Sequence, residues 1–167
     1  MLEEKVKKIL TRAGWVENRK IDITNQVKIL EGVGYKVFDV ARRFIEEFGE
    51  LDIIAKYIDF LGEEDYDEHT TKIDKMGYLK NSKNVMKNYY EKVGERIIPI
   101  CKLYSGEYIV CISESGKFFI SEGMWAKDTD DFWNSILGEY QGVFLDWIDY
   151  KAGKEFQPSK YKNKEYF

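Results

Sequence analysis

The sequence has 167 residues, of which 44% are hydrophobic, and a chain of this length is expected to form one domain whose core needs no disulfide or metal to fold. Its formal net charge of −4 divides into +3 for a Lys-rich tail, residues 151–167 (five Lys against two Glu), and −7 for residues 1–150, where the single domain is expected. An acidic body excludes a typical nucleic-acid-binding protein, and the lack of a long apolar run excludes a membrane-spanning helix.

The first 50 residues predict three amphipathic helices. Apolar residues at helical spacing place the first over about residues 2–13. Thr24 can cap the second, which is expected to stop near Gly32 or Gly34. The third has the most regular pattern, and Gly49 is placed to end it. Its apolar stripe consists of Val37, Val40, Ala41, Phe44, Ile45 and Phe48.

The next segment changes from residues that favour a strand to an acidic run. Residues 51–60 contain Ile53, Ile54, Tyr57 and Ile58, which favours a β-strand. Residues 62–84 begin with a dense acidic run and remain polar, which predicts a long acidic loop or insertion in the domain. Residues 85–93 then return to helical spacing.

The strongest pattern in the chain lies between residues 96 and 120. Three runs of β-branched and aromatic residues are separated by polar turns that contain Gly, which is typical of consecutive antiparallel strands. If Ser105 and Gly106 form a two-residue hairpin loop, the facing pairs are Leu103 with Tyr108, Cys101 with Val110, and Ile100 with Cys111. The two cysteines then point to opposite faces of the sheet, and a reduced cytoplasmic protein is expected.

Two further helices are predicted after these strands. Asp128 or Thr129 can cap the first, whose opening turn carries Asp130 and Asp131 at the positive end of the helix dipole. Its apolar stripe is Phe132, Trp133, Ile136, Leu137 and Tyr140. A short last helix is suggested by Phe144, Leu145, Trp147 and Ile148. The tail after it is expected to be an appendage whose order depends on docking.

The predicted fold class is therefore α+β. An antiparallel sheet with a central three-stranded meander is expected to be packed and flanked by N-terminal and C-terminal helices. The aromatic content of 16% allows two interpretations, a core of large residues with Tyr at its rim or an aromatic binding face.

The sequence contains no catalytic motif and no pattern for a cofactor or metal. His69 is the only histidine, and the acids around it lack the glycine turn and terminal Glu of a calcium loop, while zinc sites favour Cys and more His. The segment Gly32-Val33-Gly34 follows a helix rather than a strand, so it does not match a phosphate-binding loop. An enzyme is disfavoured.

Several short motifs occur in an order that resembles one known family. Ala13-Gly14-Trp15 is followed by Arg19 and Asp22, Phe48-Gly49-Glu50-Leu51 precedes the first strand, and Pro99 lies in the first strand of the meander. This combination resembles the third family of the SUKH superfamily, whose members share the Smi/Knr-like fold. The resemblance extends over about residues 2–140, apart from residues 62–84, and the tail has no counterpart in it.

The resemblance implies an immunity protein that binds and neutralises a cognate bacterial toxin of the polymorphic or contact-dependent kind, in many cases a nuclease. A nuclease domain needs a basic cleft to hold nucleic acid, so an acidic protein can steer the encounter and block that cleft or a surface beside it. The alternative on the same fold is a cytoplasmic interaction adaptor without an immunity role. Neither reading involves nucleic acid or a membrane, and the free chain is expected to be a monomer or a weak dimer.

Two sets of residues are singled out. Trp15, Arg19 and Asp22 are the structural signature; Trp15 is expected to be buried against the third helix rather than to contact a partner, and Arg19 to pair with Asp22 or a nearby carboxylate. The residues expected to bind the toxin are Glu63, Glu64, Asp65, Tyr66, Asp67, Glu68 and Trp125, because a loop can present charge without disturbing the core and because Tyr and Trp are frequent hot spots. The alternative for the acidic run is a solubilising loop.

Overall fold

A computed structural model describes residues 1–76, 90–139, 141–142, 145–155, 158–159 and 164–167. Each of the predicted helices that falls within these ranges is present, with bounds within a few residues of the prediction. The helices are α1 (Glu4–Arg12), α2 (Thr24–Gly32), α3 (Asp39–Phe48), α4 (Thr129–Leu137) and α5 (Trp147–Lys151). Residues 90–93 are also helical, and the rest of the helix predicted at 85–93 lies outside the described residues.

The strands of the main sheet are antiparallel, and each pairs with the next in the order in which they are named here. They are β1 (Asp52–Ile58), β2 (Glu64–Thr70), β3 (Ile97–Leu103), β4 (Tyr108–Ser113), β5 (Phe118–Ile120), β6 (Gly123–Ala126) and β8 (Leu145–Asp146). The short strands β7 (Gln141–Gly142) and β9 (Pro158–Ser159) form a separate pair. The predicted meander is β3–β5, and the α+β fold class is confirmed.

Large aromatic side chains fill the core between the helices and one face of the sheet. The Phe44 ring of α3 lies 5.5 Å from Phe118 of β5 and 6.2 Å from Trp133 of α4. Phe118 also stacks on Phe132 at 4.4 Å, and all four of these rings are buried. These contacts fix α3 and α4 on one face of the sheet, while α5 covers part of the other face by stacking Trp147 on Phe119.

The register of the β3–β4 hairpin agrees with the prediction near the turn and departs from it further along. Leu103 pairs with Tyr108 and Cys101 with Val110, as expected, but Cys111 pairs with Pro99 rather than with Ile100. A register shift between Pro99 and Cys101 causes the difference. Proline has no N–H to donate to the ladder, so a strand that contains it readily forms a bulge at that position.

The prediction of a loop over residues 62–84 is wrong for Glu64–Thr70, which form strand β2. This strand pairs along its whole length with β1 and through Thr70 with Lys102 of β3. Its side chains have low intrinsic preference for a strand, but β1 is a good sheet former and offers a complete ladder of backbone partners. A 3₁₀ turn at Ile73–Lys75 follows, and residues 77–84 lie outside the described residues.

The last predicted helix begins later than its apolar residues suggest. Leu145 lies in β8 rather than in the helix, and Asp146 caps α5 by accepting a hydrogen bond from the Asp149 N–H at 2.8 Å. At α4, the predicted cap is confirmed, because the Asp128 carboxylate accepts from the Asp131 N–H at 2.8 Å. Tyr140 and Phe144 lie outside the described residues.

Candidate protein-interaction surface

The β1–β2 hairpin has two chemically different faces. Its pairing is continuous from Asp52 opposite Thr70 to Ile58 opposite Glu64, and successive side chains of a strand point to opposite sides. The inner face consists of Ile53, Ala55, Tyr57, Asp65, Asp67 and His69, and the outer face of Asp52, Ile54, Lys56, Ile58, Glu64, Tyr66, Glu68 and Thr70. The acidic run predicted as one binding loop is therefore divided between two faces.

On the inner face, Asp67 binds the end of the Lys-rich tail. Both of its carboxylate oxygens accept hydrogen bonds from Lys164 Nζ at 2.9 Å, and one accepts from the Tyr166 hydroxyl. Tyr166 is buried, and the Phe167 N–H donates to the Lys56 carbonyl at 2.9 Å along the edge of β1. Burial and the neighbouring Asp67 carboxylate raise the pKa of Tyr166 far above its ordinary value. Asp67 is thus occupied within the chain.

Asp65 and His69, also on the inner face, have hydrogen-bond partners within the chain, although Asp65 remains exposed. Asp65 accepts from its neighbour's backbone, the Tyr66 N–H, at 2.8 Å and from the Tyr57 hydroxyl at 2.9 Å, and these bonds lower the pKa of Asp65. His69 is 2% exposed, and its Nδ1 accepts from the Tyr104 N–H at 3.2 Å. Burial lowers the pKa of His69 to about 4, so the imidazole is neutral at pH 7.

The outer face keeps its acids in solvent beside exposed apolar residues. Glu64 and Glu68 are exposed, and Glu64 shares a surface ion pair of 2.7 Å with Lys56. Tyr66 lies directly opposite Lys56 and is 53% exposed. Ile54 and Ile58, two residues to either side of Lys56 on β1, are 42% and 54% exposed. Sequence reasoning placed Ile54 and Ile58 in a strand but gave them no part in binding.

A five-residue turn, residues 59–63, joins the two strands and extends this surface. The Asp59 carboxylate accepts hydrogen bonds from the Leu61 N–H at 2.8 Å and the Glu63 N–H at 2.9 Å, and the Asp59 N–H donates to the Glu63 carbonyl at 2.8 Å. Glu63 is exposed beside two apolar side chains, Phe60 and Leu61, which are 94% and 69% exposed. The only sequence signal for them is an apolar Phe-Leu pair just before Gly62.

Trp125 does not belong to this surface. It lies on β6, four strands away from β2, and its indole N–H donates to the Ser135 hydroxyl of α4 at 3.0 Å. The ring is half-buried against Tyr108, with centroids 5.8 Å apart. The structure therefore brings Glu63, Glu64, Tyr66 and Glu68 together and leaves Trp125 apart from them.

The signature residues support the fold at the end of α3. Trp15 is 4% exposed and stacks on Phe48 with centroids 5.9 Å apart, which confirms the predicted burial against the third helix. Arg19 does not pair with Asp22; its Nη1 donates to the carbonyls of Glu47 and Gly49 at 2.9 and 2.8 Å. A guanidinium suits this position because the last carbonyls of a helix lack intrahelical partners and carry partial negative charge.

Asp22 has a separate local role. Its carboxylate accepts from both the N–H and the hydroxyl of Thr24, at 2.9 and 2.6 Å, where α2 begins. These bonds lower the pKa of Asp22 below its ordinary value. Thr24 was expected to cap α2, but it is the first residue of the helix and Asp22 provides the acceptor.

Within the part of the chain that the structure describes, no group of three His, Cys, Asp or Glu side chains could hold a metal ion. Cys101 and Cys111 are buried free thiols, and burial raises the pKa of each well above its ordinary value, which makes them poor nucleophiles at neutral pH. Among the described helices, none is both long and apolar enough to cross a membrane.

Comparison with known proteins gives one match. The family model described as SUKH-3 immunity protein matches residues 2–139 of the chain. No curated protein and no solved structure matches it. The matched region includes α1–α4 and β1–β6, and therefore the whole β1–β2 hairpin.

Proposed function

Because the chain belongs to the SUKH-3 immunity protein family, we propose that it protects a bacterial cell by binding a cognate toxin through the acidic β1–β2 hairpin. Membership of the family implies toxin immunity, and immunity proteins of this kind generally act by binding rather than by catalysis. The proposed toxin is a nuclease domain of a polymorphic or contact-dependent toxin, bound in the cytoplasm of the cell that makes both proteins.

The observation that carries this proposal is the concentration of negative charge in one hairpin. From Asp52 to Thr70 the chain has seven carboxylates against the single Lys56, a balance of −6 with His69 neutral. A nuclease domain must present a basic surface to nucleic acid. Complementary charge accelerates association and orients the partners before contact.

The acids of the run differ in their contacts within the chain. Asp65 and Asp67 lie on the inner face, where Tyr57 donates to Asp65 and Lys164 to Asp67. Glu63, Glu64 and Glu68 are exposed on the turn and the outer face, where Glu64 shares only the surface ion pair with Lys56 and Glu68 a long contact with Ser105. We therefore place the electrostatic contact on these three glutamates with Tyr66 between them. Trp125, four strands away from β2, would need a second contact region.

A matched pair of charge-reversal variants tests the proposal. The first changes Glu63, Glu64 and Glu68 to Lys; the control changes Glu17, Glu31 and Glu155, which are exposed on other parts of the chain, in the same way. Both variants shift the net charge by the same amount. The probe is the toxin domain encoded beside this protein's gene, and association is followed by stopped-flow fluorescence over a range of salt concentrations.

The hairpin variant should associate at least about tenfold more slowly at low salt and show a flatter salt dependence than the wild type. The control should keep most of the wild-type rate, because steering depends on charge near the contact. Equal slowing in both variants would mean that only net charge matters, and unchanged kinetics in the hairpin variant would remove the hairpin from the interface. Loss of protection in cells that co-express toxin and variant gives an independent readout.

A further inference from the structure

Exposed apolar side chains are concentrated on the β1–β2 hairpin. Ten large hydrophobic residues are exposed in the described part of the chain, and five of them lie within thirteen residues. These five, called the apolar anchor, are Ile54, Ile58, Phe60, Leu61 and Tyr66. Single exposed apolar residues are ordinary, but a contiguous group of them rimmed by polar residues marks an interaction surface.

The geometry of the hairpin makes this group contiguous. Tyr66 lies opposite Lys56, so Ile54 and Ile58 are its two diagonal neighbours on β1, at about 7–8 Å, a separation that a tyrosine ring can bridge. Phe60 and Leu61 continue the group beyond Ile58 at the end of the hairpin. The apolar anchor therefore runs along the outer face and over the turn.

The turn holds its two apolar residues in place before any partner arrives. Asp59 receives hydrogen bonds from two backbone N–H groups of the turn and closes it through its own N–H. A side chain that is presented on an ordered backbone loses little conformational freedom on binding, which favours affinity. Phe60 is 94% exposed in this turn, and nothing within the described chain covers it.

The rim of the anchor indicates the chemistry of its partner. Glu63, Glu64 and Glu68 surround the apolar residues, so the complementary surface is an apolar pocket ringed by Lys or Arg. A second copy of this chain fits poorly, because a twofold contact would bring the two sets of glutamates against each other. The edge of β1 is occupied at Lys56 by the Phe167 N–H, so the outer face, not the edge, is the surface offered.

We infer that the apolar anchor supplies most of the binding energy for the toxin, with Phe60 and Leu61 inserted into a basic-rimmed apolar pocket on the toxin domain. This inference rests on the proposed function. It separates two roles on one hairpin: the glutamates accelerate association, whereas the apolar anchor slows dissociation. Apolar and aromatic residues at the centre of an interface, with charges at its rim, are the usual distribution of binding energy.

The test compares two double variants by surface plasmon resonance against the same immobilised toxin domain. The first is Phe60→Ser with Leu61→Ser. The control is Val16→Ser with Ile148→Ser, which removes two apolar side chains of similar exposure, 57% and 79%, from other parts of the chain. All four residues lie outside the core, so thermal melts of both variants should match that of the wild type.

The Phe60/Leu61 variant should dissociate at least about thirtyfold faster, as expected for the loss of hot-spot residues, with an association rate within about threefold of the wild type. The control should match the wild type in both rates. If the wild type binds and the Phe60/Leu61 variant dissociates at the same rate, the inference is overturned while the proposed function stands. If the wild type itself does not bind the toxin, the proposed function fails and the inference with it. A wild-type dimer in solution that this variant abolishes would assign the anchor to a second copy and overturn the inference.

Discussion

The pH dependence of stability should report directly on His69. The imidazole is 2% exposed on the inner face of the hairpin, and its Nδ1 accepts from the Tyr104 N–H. Protonation would place a charge in a buried site and turn that acceptor into a donor facing another donor. Burial accordingly lowers the pKa of His69 from 6.5 to about 4 in the folded protein.

The size of the effect follows from the two pKa values. As the pH falls, the unfolded chain binds the proton first, so stability is fully present above pH 6.5 and is lost as the pH falls towards 4. A difference of about 2.5 between the two pKa values contributes about 3 kcal/mol to the free energy of unfolding. Most of it, about 2.5 kcal/mol, should be lost between about pH 7.5 and about pH 4.5.

Urea denaturation at a series of pH values measures this loss. Asp and Glu residues also titrate at the acid end, so the wild type is compared with His69→Asn, whose side-chain oxygen can still accept from the Tyr104 N–H. His69 is the only histidine, and subtraction of the two curves cancels the contribution shared by the carboxylates. The free-energy difference between the two proteins should change by about 2.5 kcal/mol over this range. Parallel curves would show that His69 titrates alike in the folded and unfolded states and would contradict this prediction.

Three further predictions concern contacts that hold the fold. Trp15→Ala should lower the free energy of unfolding by about 3–5 kcal/mol, because it removes a buried ring stacked on Phe48; an unchanged thermal melt would place Trp15 at the surface. Arg19→Ala should lower the free energy of unfolding by about 2 kcal/mol in urea denaturation, and Arg19→Lys should restore only part of it, since the ammonium is on a shorter side chain and is more strongly hydrated than the guanidinium; equal stability of the Lys variant and the wild type would reduce the contact to charge alone. Asp67→Asn should lower the free energy of unfolding by about 1–2 kcal/mol after allowance for solvent screening. It should also speed hydrogen exchange at the Phe167 amide, and an unchanged exchange rate would contradict this prediction.

The parts of the fold that follow from the sequence are those where apolar residues repeat with a clear period. The stripe of α3 and the strands β3–β5 bury most of the apolar residues that the pattern assigned to them. In such segments, burial of apolar area is the dominant favourable term, so local pattern and final structure agree. The register of β3–β4 departs from the prediction only at Pro99, where backbone chemistry rather than side-chain pattern decides the pairing.

Arg19 shows a different limit of sequence reasoning. The expected partner was a carboxylate, but the guanidinium donates to the main-chain carbonyls of Glu47 and Gly49 at the end of α3. These two residues lie 28 and 30 positions further along the chain. Backbone groups carry no side-chain signal, and their availability depends on where a helix ends in space. The fold explains why the Ala-Gly-Trp motif lies just before Arg19, because Trp15 and Arg19 both contact the C-terminal end of α3.

Strand β2 is the element that the sequence pattern did not predict, and its formation changes which side chains the candidate site contains. A loop would offer all five acids of the run to a partner, whereas a strand directs alternate side chains to opposite faces. Asp67 is thereby turned inward, where Lys164 and Tyr166 neutralise and bury it, and Glu64 and Glu68 are turned outward beside Ile54 and Tyr66. The same alternation that turns two acids to the inner face also creates a mixed apolar and acidic outer face, which a loop of charged residues would not have. For this reason, the specificity of the hairpin for a partner should depend on which face of β2 carries each side chain as well as on its net charge.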